Sequence, residues 1–328
     1  MKPSTPSTAR RRAGSPWRPQ RGDGAVRARR RLLAATLLAT CAFLGGGGGG
    51  IGMGAAQAAS ALHDDHGQPI ALTREPQRIV TLLPSLTESV CELGACARLV
   101  GVDRYSNWPN SVQALPHLGG QDDAQIERIV ALKPDLVLAA ASARVVDRLE
   151  ALGVPVVALE AKRLADIHRV LETIAQVLGR PGAGDASWAR IQARVTQASA
   201  RVPAGWRGKR VYFEIASDPY AAGESSFIGE TLASLGLGNI VPASLGPFPK
   251  LNPEFVVREQ PDLIMAEVRN LDEMPNRPGW SRLRALEQGR HCGFASEQYD
   301  VLVRPGPRLG EAAELMADCL VRVAPPQP

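Results

Sequence analysis

A block of thirteen residues, Glu127-Arg-Ile-Val-Ala-Leu-Lys-Pro134-Asp135-Leu136-Val-Leu-Ala139, recurs 127 residues later as Glu254-Phe-Val-Val-Arg-Glu-Gln-Pro261-Asp262-Leu263-Ile-Met-Ala266. Each copy reads as a short helix, a Pro-Asp turn that stops it, and a buried apolar strand. Each copy also follows an earlier apolar run, Arg78 to Leu83 in one case and Arg210 to Ile215 in the other. A pattern that preserves the order of elements around it predicts two similar α/β halves.

Strand-like runs at Ile79 to Leu83, Leu99 to Val102, Leu136 to Ala139 and Val156 to Leu159 alternate with helical stretches in the first half. That alternation argues for a mostly parallel sheet covered on both faces. Val211 to Ile215, Leu263 to Ala266 and a helix from about Gly310 to Val321 repeat the scheme in the second half. Between them, Gly179-Arg-Pro-Gly-Ala-Gly184 breaks the chain, and Asp185 to Val202 reads as one long helix of roughly 27 Å, enough to cross between lobes. The expected fold is therefore α/β: two similar lobes with mostly parallel central sheets, one long backbone helix between them, and a ligand cleft where they face. Its parts are a leader at 1–58, a first lobe at 59–180, the connecting helix at 181–203 and a second lobe at 204–328. A helical connector is stiff, which predicts small lobe movements.

The leader accounts for the positive charge of +5, holding ten Lys or Arg and one acid, Asp23, and leaving 28 bases against 32 acids in the remainder. The remainder is thus mildly acidic, and nucleic-acid binding is excluded as the reason for the basic balance. Arg29 to Arg31, the apolar run Leu32 to Leu44 and the small-residue site Ala56-Gln57-Ala58 form a secretory signal whose cleavage exposes Ala59. The run is too short for a permanent span. Leu38-Ala39-Thr40-Cys41 is the rival reading, a lipoprotein site with Cys41 acylated. Export places the protein in the periplasm.

An oxidising compartment favours disulfides, and Cys91, Cys96, Cys292 and Cys319 remain after cleavage. Cys91 lies near a helix end and Cys96 just past Gly94, a helix stop, so a local bridge is sterically allowed, with Cys292 and Cys319 as the second pair. Buried free thiols are the other reading. Their spacings match no zinc site and give no nucleophile with a base.

Four further pieces carry a resemblance: Arg78-Ile-Val-Thr-Leu-Leu-Pro-Ser-Leu-Thr-Glu88, Gly101-Val-Asp-Arg-Tyr105-Ser-Asn-Trp108-Pro109, Ile126 to Leu136, and Arg304-Pro-Gly-Pro-Arg308. Over roughly residues 76 to 322 the chain resembles the periplasmic binding proteins of ABC importers with a single backbone helix, and most of all their cobalamin-binding members. Taken by themselves, Ser85 and Glu88 make a capping box where a strand turns into a helix, putting backbone N–H groups and Leu86 near the cleft. Tyr105 and Trp108 are aromatics in a polar loop, costly to expose without a partner.

The resemblance implies that Tyr105 stacks on the ligand, that Tyr220 and Phe248 supply apolar walls against a flat macrocycle, and that Asp300 and Arg304 touch its polar periphery. An Asp300 to Arg304 salt bridge without ligand is the plainer alternative. The resemblance also implies that Glu127 and Glu254, one acid per lobe, dock onto arginines of the permease. Helix-dipole stabilisation would also favour an acid at either position. The chain departs from the cobalamin binders at Leu118 and Ala140, where they carry tryptophans. It is expected to be a monomeric binding protein, not an enzyme, taking cobalamin or a related corrinoid, with haem or a ferric siderophore as the alternative.

His63-Asp64-Asp65-His66 has the chemistry of a metal site, but its place near the new N-terminus makes it a solvated tail. No metal is expected. No Gly-x-Ser-x-Gly elbow or phosphate loop supports a hydrolase.

Overall fold

The computed structural model describes residues 62–217 and 219–325. The expected signal segment, its cleavage site, Cys41 and Asp218 lie outside them. In the first lobe, β1 (Ile79–Thr81), α1 (Pro84–Glu92), β2 (Leu99–Val102), α2 (Ile126–Ala131), β3 (Leu136–Ala139), α3 (Val145–Ala151) and β4 (Val156–Ala158) build a parallel sheet in the order β2-β1-β3-β4. Apolar clusters cover both faces, one around Leu86, Val90 and Leu138, the other around Ile129, Val137 and Leu149. Continuous Val, Leu and Ala runs fit a strand buried on both sides.

Two helices follow, α4 (Leu164–Val177) and α5 (Ala183–Arg201). The second lobe contains β5 (Arg210–Ala216), β6 (Tyr220–Ala221), α6 (Phe227–Ser234), β7 (Gly238–Asn239), α7 (Pro253–Glu259), β8 (Leu263–Glu267), α8 (Val268–Glu273), α9 (Arg284–Glu287), β9 (His291–Phe294), α10 (Ser296–Val303) and α11 (Leu309–Arg322). β7, β8 and β9 run parallel in a sheet where β5 pairs both β7 and β8, and β8 pairs β9. Taking β5, β7, β8 and β9 as first to fourth, the order is again second-first-third-fourth. A two-residue antiparallel strand, β6, is added at the other end of β5.

The repeat is matched in its hydrogen bonds. Lys133 and Gln260, related by the same offset, are the non-glycine residues at positive φ, +47° and +46°, each ending its helix before the Pro-Asp turn. Asp135 accepts the backbone N–H of Arg78 at 3.1 Å, and Asp262 that of Arg210 at 2.9 Å. Each arginine then reaches back to the end of the repeated helix, Arg78 to the Leu132 carbonyl at 2.7 Å and Arg210 to the Glu259 carbonyl at 2.6 Å. One clamp thus ties the first strand of each lobe to the repeated helix and satisfies carbonyls that a helix end leaves open.

The connection between lobes is wider than the single helix at 181–203 expected from sequence. On α4, Ile167 and Leu171 pack into the second lobe's core, whereas Val170, Ile174 and Val177 pack into the first lobe's. Its start is held by the second lobe, where Arg163 and the Leu164 N–H both bond Glu230. α5 runs the opposite way, from Ser187 and Arg190 on Glu92 of the first lobe to Ser199 on the Ser234 carbonyl of the second. Both helices span the lobes. A helical hairpin resists bending more than one rod.

The His63-Asp64-Asp65-His66 segment is not a solvated tail. Asp64 is buried and accepts the N–H of Ala158, the last residue of β4, and Asp65 takes a two-pronged contact from Arg169 as well as the Glu160 N–H. His66 Nε2 lies 2.8 Å from the Ala141 carbonyl. These residues strap the segment His63 to His66 across the sheet edge, and no group of three or more metal-ligating side chains occurs among the described residues.

Candidate functional site

The C-terminal ends of the parallel strands in both lobes open on a shared groove, the usual place for a ligand in such sheets. Its larger part, about 490 Å³, is lined by Leu83, Ala140 and Ala161 from the first lobe and by Ile215, Tyr220 and Phe248 from the second. Phe227 and Ile228, at the start of α6, and Val303 and Pro305, at and just past the end of α10, complete the apolar surface. Gln121, Ser142 and Glu160 are the polar groups that reach it. A second cavity of about 240 Å³, lined by Tyr105, Asp103 and Asp122, adjoins the first at Leu83 and Gln121, which line both.

The groove brings together three of the residues singled out from sequence. Tyr105 is 61% and Tyr220 is 40% exposed, both unusual for tyrosine rings of a stable lobe surface. Each rim ring has a cation beside it: Arg104 lies 5.7 Å from the Tyr105 centroid and Lys250 5.7 Å from that of Tyr220. Phe248 packs edge-on against Phe227 with centroids 5.9 Å apart, which fixes the orientation of both. Phe227 carried no sequence signal of its own. It enters the groove because Ser226 caps α6, accepting the Gly229 N–H at 3.0 Å, and so aims the first turn inward.

Other expected site residues stand elsewhere. Leu86 belongs to the first lobe's core, and Ser85 is buried beneath the Arg304 to Arg308 segment, where a Cβ on Gly306 would meet Ser85 Cβ at 3.4 Å. The capping box does not form. Helix α1 starts at Pro84, and its cap position is Leu83, which has no side-chain acceptor, so Ser85 sits inside the first turn and not at the cap. Of the two positions singled out from sequence as departures, Leu118 is fully buried, whereas Ala140 does line the groove.

Glu88, freed from capping, turns to Arg304, with Oε1 2.9 Å from Nη1. Arg304 is only 7% exposed and also donates to Asn107 Oδ1 at 2.8 Å and the Tyr105 carbonyl at 3.1 Å, while pairing with Asp300 at 2.7 Å. Asp300 in turn accepts from Asn107 Nδ2 at 2.9 Å. Trp108 lies under Arg308, 4.8 Å from its ring centroid. Thus Asp300, Arg304 and Trp108, expected at the ligand, form a network behind the groove wall. Burial raises the Glu88 carboxyl above its usual range against the pull of Arg304, and burial likewise raises Asp103, against hydrogen bonds from Ser106 and the Tyr105 N–H.

Cys91 bridges Cys96 and Cys292 bridges Cys319, with Cα separations of 4.1 and 5.9 Å. Glu127 and Glu254 are both exposed in the first turns of α2 and α7, and neither enters an ion pair among the described residues.

Residues 79–293 match the model of the periplasmic binding protein family. The chain belongs to that family. An uncharacterised ABC transporter substrate-binding lipoprotein of Bacillus subtilis is 27% identical over 270 residues, covering 79% of this chain and 84% of that protein. A cobalamin-binding protein of Halobacterium salinarum is 32% identical over 213 residues, covering 62% of this chain and 58% of that protein. The crystal structure of the vitamin B12 binding protein BtuF of Vibrio cholerae, 24% identical, superposes with a TM-score of 0.63 over 76% of this chain and 98% of its own. Periplasmic haem-binding proteins share the fold as well. The relatives are named as substrate-, cobalamin-, vitamin B12- and haem-binding proteins.

Proposed function

We propose that this chain is the solute-binding component of an ABC importer and that it carries cobalamin or a related corrinoid in the interlobe groove. The observation that carries the ligand is the character of the groove wall: large, apolar and aromatic, with Tyr220, Phe248 and Phe227 on one side and Tyr105 at the rim. A flat macrocycle buries its faces against such a surface, and its peripheral amides need only a few acceptors and donors, for which Gln121, Ser142 and Glu160 are placed.

Haem is the second reading, favoured by the exposed phenols of Tyr105 and Tyr220 as axial ligands. Two carboxylates on a porphyrin would need cationic partners. Arg304 is occupied by Glu88 and Asp300, the rim cations Arg104 and Lys250 stand beside the rings of Tyr105 and Tyr220 with Arg104 also paired to Asp123, and the charged residue lining the larger cavity is an acid, Glu160. An acid as the charged group of the cavity interior favours the amide-rimmed corrinoid.

Delivery follows from the duplicated surface. Glu127 and Glu254 sit at corresponding places on the two lobes, as a two-fold permease requires, and their exposure leaves them available to its arginines. Such an importer places the protein in the periplasm, released from its leader. Calorimetric titration with cyanocobalamin, cobinamide, haemin and a ferric siderophore tests the assignment. Saturable one-to-one binding of the corrinoids with little heat from haemin supports it; tighter binding of haemin or the siderophore replaces it.

A further inference from the structure

Val303 and Pro305 line the groove, while Arg304 between them points the other way, into the first lobe. Val301 and Leu302 of the same helix belong to the second lobe's core, and the Tyr299 hydroxyl holds the Glu214 carbonyl of β5. Arg304 therefore stands on the second lobe, yet three of its four partners, Glu88, Asn107 and the Tyr105 carbonyl, belong to the first. From this geometry we propose that Glu88 is a positioning residue for the ligand site, acting through Arg304 to hold the Tyr105 loop at a set distance from the Tyr220 and Phe248 wall. The inference rests on the groove being the ligand site.

Stability alone does not account for the pair. Glu88 is 1% exposed, and its second oxygen, Oε2, is buried with no hydrogen-bond partner. Burying a carboxylate with half its lone pairs unmet costs free energy that an apolar pair of the same volume would avoid. What the pair supplies is a fixed location. The Tyr105 ring is mostly in solvent, and within the first lobe its loop is held by Asp103, which accepts the Tyr105 N–H and the Ser106 hydroxyl; its place relative to the second lobe comes from the Tyr105 carbonyl on Arg304, the Asn107 side chain clasped between Arg304 and Asp300, and Trp108 under Arg308. Glu88 lines neither part of the groove; through Arg304 it bears on the Tyr105 loop, while Val303, the groove-lining neighbour of Arg304, packs on the second lobe's core with Val301 and Leu302.

The experiment combines ligand dissociation with hydrogen exchange in the full mature chain, using cyanocobalamin as probe. Glu88→Ala should raise the dissociation rate about tenfold, as expected for loss of a hydrogen bond to a charged group. Glu88→Gln keeps an oxygen for Arg304 and should restore most of that loss, which a volume effect alone would not do. In a Tyr105→Ala background, Glu88→Ala should add little further, because its action passes through that ring. Amides of residues 105–108 should exchange faster in ligand-free Glu88→Ala and in Asn107→Ala, a surface change that leaves the core intact. Additive effects of Glu88→Ala and Tyr105→Ala, or unchanged exchange at 105–108 in both variants, would overturn the proposal. Should the wild type fail to bind cyanocobalamin, the corrinoid reading falls, and the exchange comparison still decides whether the clasp holds the loop.

Discussion

Oε1 of Glu88 and Nη1 of Arg304, 216 residues apart in the chain, meet at 2.9 Å between the first turns of α1 and the end of α10. The contact lies behind the groove wall, and together with the α4 and α5 hairpin it joins the lobes at more than one level. A molecule tied in this way presents a largely preformed groove, so ligand entry depends on the rim residues more than on lobe closure.

The aromatic wall should dominate affinity. Tyr220→Ala and Phe248→Ala are each expected to weaken cyanocobalamin binding by about 1 to 3 kcal/mol in calorimetric titration, the cost of losing one buried aromatic face. Phe248→Ala should be the larger effect, since it also removes the edge contact that orients Phe227. Unchanged affinity in both would place the ligand elsewhere.

Glu127 and Glu254 should matter for transport and not for capture. The Glu127→Ala, Glu254→Ala double variant is expected to bind ligand as the wild type does while losing uptake in cells that depend on this importer. Normal uptake with weakened binding would contradict a docking role.

The raised carboxyls predict a sign for pH dependence. Glu88 and Asp103 bind protons more tightly folded than unfolded, so their contribution to stability is fully present below their ordinary values of 4.5 and 3.8 and declines as pH rises through the raised ones. Glu88→Gln removes one of the two groups. Urea unfolding at several pH values between about 4 and 7 should give a less negative slope of stability against pH for the variant than for the wild type. Asp135 and Glu314, held low by the Gln77 N–H and by Arg194 respectively, act in the opposite sense in both proteins and cancel in the comparison.

The two disulfides should differ in worth. Cys292–Cys319 ties β9 to α11 across a separation of 27 residues, whereas Cys91–Cys96 closes only 5. Loop-closure entropy predicts losses of about 3 to 4 kcal/mol for Cys292→Ala, Cys319→Ala and about 2 kcal/mol for Cys91→Ala, Cys96→Ala, read as shifts in denaturant midpoint. Equal losses would point to local strain or packing as the larger factor.

What could be read in the chain was local or periodic. The runs Leu99 to Val102 and Leu136 to Ala139 became strands with those limits, and the 127-residue offset reappears as matched sheet orders and matched arginine clamps. Tyr105 was legible as an aromatic in a polar loop, costly to expose without a partner, whereas Tyr220 and Phe248 came only from the family resemblance. The strap at Asp64 and Asp65 was not, since its partners lie beyond residue 140 and turn an apparently free acidic segment into a buried one.

By itself, then, the sequence determined the α/β class and the duplication, because apolar period, turn chemistry and repetition are properties of neighbours in the chain. Only the tertiary structure decided that Glu88 clasps Arg304 instead of capping α1, that α4 shares the bridge with α5, and that Phe227 joins the groove. Those outcomes depend on which distant groups arrive within hydrogen-bond reach once two sheets are packed. A carboxylate out of water takes the strongest cation it can touch, whatever its spacing in sequence suggests.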